Sequence, residues 1–247
     1  MTDVTTEPVS TAPPALSGRA SVTQGWSELA FLHWRVDASQ VAPLLPKGLR
    51  PDMFDGSSWV GLIGFVLNGA TIFGSPRILY FGNFVEVNVR LYAVDNRGRR
   101  GVVFVSLEAA RLAAVLAARA VFSIPYYWAS TRLVRAGGAL HYDSARHTDQ
   151  KAHTDFSVRP TTRAVTDNPL ADFLTARWAL FTTHHGHPTR LPNTHERWEL
   201  FEAHLEQLDD TLLEVAGFAG LASRPPDSVL YSPGVTARFG SAERLDR

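Results

Sequence analysis

The chain has 247 residues, of which 45% are hydrophobic and 19% charged, and its formal net charge is zero. That is the balance of a globular chain long enough to bury a core without covalent staples. The even charge, without a basic run, argues against nucleic-acid or anionic-membrane partners, and the absence of cysteine removes disulfides, thiolate nucleophiles and cysteine metal sites together.

Residues 1–18 are polar and proline-rich, with neither a basic start nor an apolar centre, so they read as a disordered tail rather than a signal peptide. Residues 19–247 read as a single domain. Residues 28–36 form an alternating strand, with Phe31, His33 and Arg35 on one face and Ala30, Leu32, Trp34 and Val36 on the other. A helical turn follows over 38–45, with Asp37 as its cap. Residues 59–67 are nearly all apolar, as in a strand buried on both faces, with Gly61 and Gly64 allowing close backbone approach. The whole apolar stretch from Trp59 to Phe73 is interrupted by Asn68 and glycines and is too short for a membrane span.

Residues 83–94 carry the clearest pattern. Val85, Val87, Val89, Leu91 and Ala93 alternate with Phe84, Glu86, Asn88, Arg90 and Tyr92. The run 95–98 is a turn, and 101–106 reads as the hairpin partner. Residues 107–122 read as an alanine-rich helix stopped by Pro125. Strands are expected over 131–135, 139–142 and 155–161, helices over about 167–181 and 199–216, and short strands near Val229 and Val235. Eight or nine strands and three helices in mixed order predict an α+β fold with a curved or closed antiparallel sheet.

Glycine-rich nucleotide loops, the serine-hydrolase elbow and the H-E-x-x-H zinc motif are absent from the sequence. The polar face of strand 83–94 is the first candidate site. On a solvent face its residues are routine. Turned inward, Glu86 serves as acid or base and Arg90 holds a carboxylate or enolate, and the valine face packs outward against helices or a neighbouring subunit. The aromatic neighbours Phe84 and Tyr92 favour the inward reading. An arginine head reaching Glu86 would make the pair a structural strut instead. The second candidate is the run Ile124 to Trp128, where a tyrosine hydroxyl can polarise a carbonyl, although three aromatics after a helix stop also suit plain packing. The third candidate is the histidine group His184, His185, His187 and His195; the first three resemble a metal-ligand run but fall in a glycine/proline loop, so no metal site is assigned. His33 and Arg35 are wall residues or ligand contacts.

Several blocks resemble, in order, the YqjF-like family, domain of unknown function 2071. They are Phe31 to Asp37, Leu45 to Leu49, Asp55 to Gly61, Phe84 to Arg90, Ile124 to Ala129 and Tyr231 to Val235, spread over about residues 25–240. That family is similar to acetoacetate decarboxylases. The resemblance implies a cone-shaped antiparallel β-barrel with flanking helices and an apolar cavity. It also implies that Glu86 takes the place of the catalytic glutamate and Arg119 that of a helix arginine. The Schiff-base lysine and its neighbour are replaced by Tyr126 and Tyr127. A tyrosine forms no imine, and the two lysines of the chain, Lys47 and Lys151, lie in polar segments.

The expectation is therefore a cytoplasmic, cofactor-independent acid/base enzyme of lyase, dehydratase, isomerase or cyclase type. Its catalytic residues are Glu86, Tyr126 and Arg90, and its ligand contacts are His33, Arg35, Asn88, Tyr92, Arg119 and Tyr127. A binding protein holding a small-molecule or lipid-like ligand in the same cavity is the alternative. The partner is a small molecule, with no nucleic acid and no membrane, and homo-oligomerisation is left open.

Overall fold

The computed structural model describes residues 5–74, 83–112, 115–116, 123–149 and 151–245. Among these, thirteen strands join one sheet. In chain order they are β1 (Val22–Val36), β2 (Arg50–Pro51), β3 (Ser58–Ile72), β4 (Phe84–Val94), β5 (Arg100–Ala109), β6 (Tyr126–Ala136) and β7 (Ala139–Arg146). There follow β8 (His153–Ala164), β9 (Ala179–His184), β10 (His187–Thr194), β11 (Phe201–Asp210), β12 (Ser228–Phe239) and β13 (Glu243–Arg244). The α-helices with both ends described are short: α1 (Ala38–Val41), α2 (Pro169–Thr175) and α3 (Leu212–Val215). No helix among the described residues is long and apolar enough to cross a membrane.

The pairings return on themselves. One circuit runs β4–β5–β9–β10–β12–β1–β3 and back to β4. A second leaves β5 through β6, β7, β8 and β11 to reach β12. Strands β12, β1, β3, β4 and β5 belong to both, so each of their faces looks into a different interior. The sheet departs from the antiparallel expectation at β5, which pairs in parallel with both β6 and β9.

The main apolar core lies on one side of this shared wall. Ala30, Leu32 and Trp34 of β1 and Val87, Val89 and Leu91 of β4 meet Tyr142 of β7 and Phe156 and Val158 of β8. The valine face of β4 was expected to pack outward, against helices or a neighbouring subunit. It packs chiefly against the β7–β8 strands. Gly64 of β3 permits this approach. A Cβ there would stand 2.7 Å from Tyr142 Cδ1 and 2.9 Å from Phe156 Cζ. Gly64→Ala is therefore expected to destabilise the fold by about 1–3 kcal/mol, because two buried rings must leave their packed positions. An unchanged urea midpoint would show that the rings yield freely.

Two expected helices are corrected. Helix α2 starts as expected, with the Asn168 side chain accepting from the Leu170 and Ala171 amides and Pro169 in the first turn. It ends at Thr175, and Ala179–His184 joins the sheet as β9. The helix expected over 199–216 is mostly strand β11, paired with β8 and β12, with only α3 after it. In the region expected to be helix over 107–122, residues 107–109 extend β5, while Leu112, Val115 and Leu116 are helical. Residues 184–187 form the turn of the β9–β10 hairpin rather than a loop between helices. The expected tail lies against the body in part. The Glu7 amide donates to the Gly98 carbonyl, Val9 joins an apolar cluster, and Trp178 Nε1 donates to the Ser10 carbonyl.

Candidate functional site

The other face of the shared wall borders a cavity of about 170 Å³. The alternation of β4 decides which residues reach it. Glu86, Asn88 and Arg90 line the cavity, while the intervening valines enter the core. Phe65 and Ile63 stand opposite Glu86 and Asn88 on β3, and Leu107 lies opposite Asn88 on β5. Most of the remaining wall is apolar or aromatic, including Trp26, Phe104, Ile124 and Phe239.

Glu86 is 2% exposed. The Tyr126 hydroxyl donates to its Oε2 at 2.7 Å, and Asn88 Nδ2 donates to Oε1 at 3.2 Å. Burial pushes the Glu86 carboxyl up from 4.5 to about 7; the hydrogen bonds from Tyr126 and Asn88 oppose it, and the charge of Glu108 adds to it. Burial and the Glu86 carboxylate drive the Tyr126 hydroxyl well above its ordinary value, so it stays a donor. The pair combines a carboxyl able to gain or lose a proton near neutrality with a fixed O–H donor.

Arg90 does not fold back onto Glu86. The two lie four residues apart along β4, roughly 13 Å of strand, and the strut in which the arginine head reaches Glu86 is not formed. Arg90 Nε donates to the Tyr92 hydroxyl at 3.0 Å and Nη2 to the Leu174 carbonyl at 3.0 Å. Both acceptors are neutral, and no carboxylate pairs with Arg90 among the described residues. The Tyr92 hydroxyl also shares a 2.6 Å hydrogen bond with His33 Nε2. His33 is fully buried, and burial, with the charges of Arg90 and Arg177, pulls its imidazole well below its usual range. Gly61 stands between His33 and Arg90 in the cross-strand row. A Cβ there would lie 2.9 Å from the His33 ring, which accounts for a glycine inside this strand.

The other sequence candidates fall elsewhere. His33 and Tyr92 lie behind Arg90 and do not line the cavity. Arg35 pairs with Asp55 at 3.2 Å near the surface and covers the Trp59 ring, because the strand has passed the cavity by that point. Tyr127 packs under the Arg146 guanidinium, 3.6 Å from its ring centroid, on the far side of the alternation from Tyr126. Arg119 lies outside the described residues. The histidines at 184–187 gather no further ligands: no group of three or more metal-ligating side chains meets among the described residues, and His184 Nδ1 bonds Ser123 Oγ.

Sequence reasoning missed the far wall except for His195, which it had grouped with the histidines of 184–187. Arg177, just beyond α2, is buried and lines the cavity. Its Nη1 donates to Asp52 Oδ2 at 2.6 Å and its Nε to the Phe173 carbonyl at 2.6 Å. Asp52 also pairs with Arg100. His195 lines the cavity between Trp178 and Trp198, each with its ring centroid 4.6 Å away. Its Nδ1 donates to the Glu196 carbonyl at 2.6 Å, which leaves Nε2 as the acceptor nitrogen, and burial lowers its tendency to protonate. Asn193 Oδ1 and Trp26 Nε1, both on lining residues, have no hydrogen-bond partner among the described residues.

Comparison with known proteins agrees with this architecture. The model of a family described as an uncharacterized conserved protein, domain of unknown function 2071, matches residues 23–236. The uncharacterized protein YqjF of Bacillus subtilis (strain 168) is 32% identical over 204 residues, covering 82% of this chain and 84% of its own. The crystal structure of acetoacetate decarboxylase from Legionella pneumophila superposes with a TM-score of 0.67 at 14% identity, over 95% of this chain and 92% of that one. An acetoacetate decarboxylase-like enzyme from Sphingomonas wittichii RW1 superposes with a TM-score of 0.63 at 16% identity, over 93% and 94% of the two chains. With its family model spanning most of the sequence and a fold shared with acetoacetate decarboxylases, this chain belongs to the family of domain of unknown function 2071.

Proposed function

We propose that this protein is a cofactor-independent enzyme that moves a proton on a small keto- or enolate-like metabolite inside its cavity. The closed strand circuit is read as the cone-shaped barrel of the decarboxylase fold, with the cavity as its interior. The observation that carries the reading is the 2.7 Å hydrogen bond from Tyr126 to a buried Glu86 whose carboxyl titrates near 7. A carboxylate of that basicity removes a proton beside a carbonyl, and a hydroxyl held beside it donates to the oxygen on which charge develops. Enol isomerisation, dehydration of a β-hydroxy ketone and aldol-type cyclisation all begin with that step. The size of the cavity suits a small metabolite, since drug-sized ligands occupy roughly 300–1,000 Å³. The test is exchange of the α-protons of small ketones and keto acids with deuterated water, followed by proton NMR. Failure to accelerate exchange in any of them would leave the cavity as a binding site alone.

Schiff-base decarboxylation has no support in the residues. Tyr126 and Tyr127 stand where the decarboxylase lysines are expected, and both Lys47 and Lys151 are exposed, without the dry surroundings that keep an amine neutral. Treatment with acetoacetate and borohydride is therefore expected to leave the intact mass of the protein unchanged. A stable adduct on either lysine would overturn this.

A further inference from the structure

The cavity wall on β4 has two chemically distinct stations. At Glu86 the Tyr126 hydroxyl and the carboxyl form a proton-transfer pair. Four residues on, roughly 13 Å of strand away, Arg90 presents a cation whose acceptors are neutral oxygens. A partly buried guanidinium without a carboxylate favours an anionic ligand. The stretch between the stations is flanked by Phe65 and Ile63 on β3 and by Leu107 and Phe104 on β5. Asn88 is the polar residue between them on β4, its Oδ1 without a hydrogen-bond partner among the described residues. Burial, Tyr126, Asn88 and Glu108 set the acidity of Glu86, and neither cavity arginine is among these causes, in keeping with the separation.

We propose that the ligand is an acid whose anionic group, held by Arg90, is separated by a short hydrocarbon spacer of several bonds from the carbonyl that Glu86 and Tyr126 act upon. This rests on the acid–base reading of the same site. Short 2-oxo and 3-oxo acids are the poorer match, since their carboxylate sits within two bonds of the carbonyl carbon while the two residues stand roughly 13 Å of strand apart. In the step, the Glu86 carboxylate takes a proton from the carbon beside the ketone. The electron pair of that C–H bond becomes the enolate double bond, and the carbonyl π pair moves to oxygen, to which the Tyr126 hydroxyl donates after turning from Glu86 Oε2. Return of a solvent-derived proton from Glu86 restores the ketone.

The probes are 5-oxohexanoate, its methyl ester and pyruvate, with the wild-type chain in deuterated water. Dissociation constants are measured by calorimetry and α-proton exchange by NMR, with uncatalysed exchange subtracted. The expected result is that 5-oxohexanoate binds at least about tenfold more tightly than either its ester or pyruvate. Exchange is expected to be fastest in 5-oxohexanoate, and Arg90→Leu to remove the acid-over-ester preference. Equal affinity for pyruvate, equal affinity for the ester, or no binding by any probe overturns the proposal. If the length and charge preferences hold but no probe exchanges, the proton-transfer reading fails and the ligand assignment stands. If exchange is accelerated without either preference, the ligand assignment fails and the proton-transfer reading stands.

Discussion

Glu86→Gln is expected to slow α-proton exchange by roughly 10²–10⁴-fold, the usual contribution of a positioned acid or base. The substitution keeps the shape of the side chain and an acceptor oxygen for Tyr126, so the loss reports proton transfer rather than packing. Acting as the base, Glu86 must be ionised, so wild-type exchange rises with pH through about 7 and then levels off. The stability of the fold moves the other way. The folded carboxyl holds its proton up to about 7, whereas an unfolded one releases it near 4.5. Between those values the native state binds more protons, so stability falls as pH rises, by about 3 kcal/mol once pH exceeds 7. Glutamine has no such ionisation. Glu86→Gln is thus expected to be more stable than wild type at pH 8 and nearly equal to it at pH 4, in thermal melts. Full exchange activity in Glu86→Gln would move the base elsewhere, with His195 Nε2 the first group to test.

Asp52→Ala is expected to lower the melting temperature by roughly 6–20 °C. Asp52 is 2% exposed and joins two guanidiniums, Arg177 and Arg100. Removing it strands the Arg177 charge in the interior, at a cost of roughly 3–5 kcal/mol. Each kcal/mol corresponds to roughly 2–4 °C in a chain of this size. Arg100 is partly exposed and can turn to solvent, whereas Arg177 is held by the Phe173 carbonyl and packed on the Tyr92 and Phe173 rings. The paired variant Asp52→Leu with Arg177→Met removes both charges and is expected to recover much of the loss. A single variant that melts with wild type would show that water reaches Arg177.

The site was legible where the backbone alone dictates it. Strict alternation on β4 fixes which side chains share a face, so Glu86, Asn88 and Arg90 were grouped from sequence. Their inward direction rested on Phe84 and Tyr92, and the structure places the first three on the cavity wall. Tyr126 emerged through the family resemblance and the motif around Pro125. Arg177 and Asn193 were not legible, and His195 was grouped with the histidines of 184–187 rather than with Glu86, because these residues reach the cavity only when β9 and β10 close the circuit against β5 and β12. The same closure defeated the helix readings. The sequence of β11, Phe201 to Asp210, is rich in helix-favouring Glu, Leu, Ala and Gln, yet pairing with β8 overrides that weak preference.

The strand circuit also constrains how the chain is made. Val22 of β1 pairs with Phe239 of β12, and Ser21 Oγ donates to the Phe239 carbonyl across 218 positions of sequence. As the chain leaves the ribosome, β1 and β3 emerge well before β12, so one edge of β1 must wait for a partner far along the sequence. Closing so long a loop carries its entropic cost before any contact rewards it, which places this fold among the slow ones. During that interval an apolar edge holding Phe31 and Leu32 stands open to other chains, so the nascent protein passes its most aggregation-exposed stage just before β12 arrives.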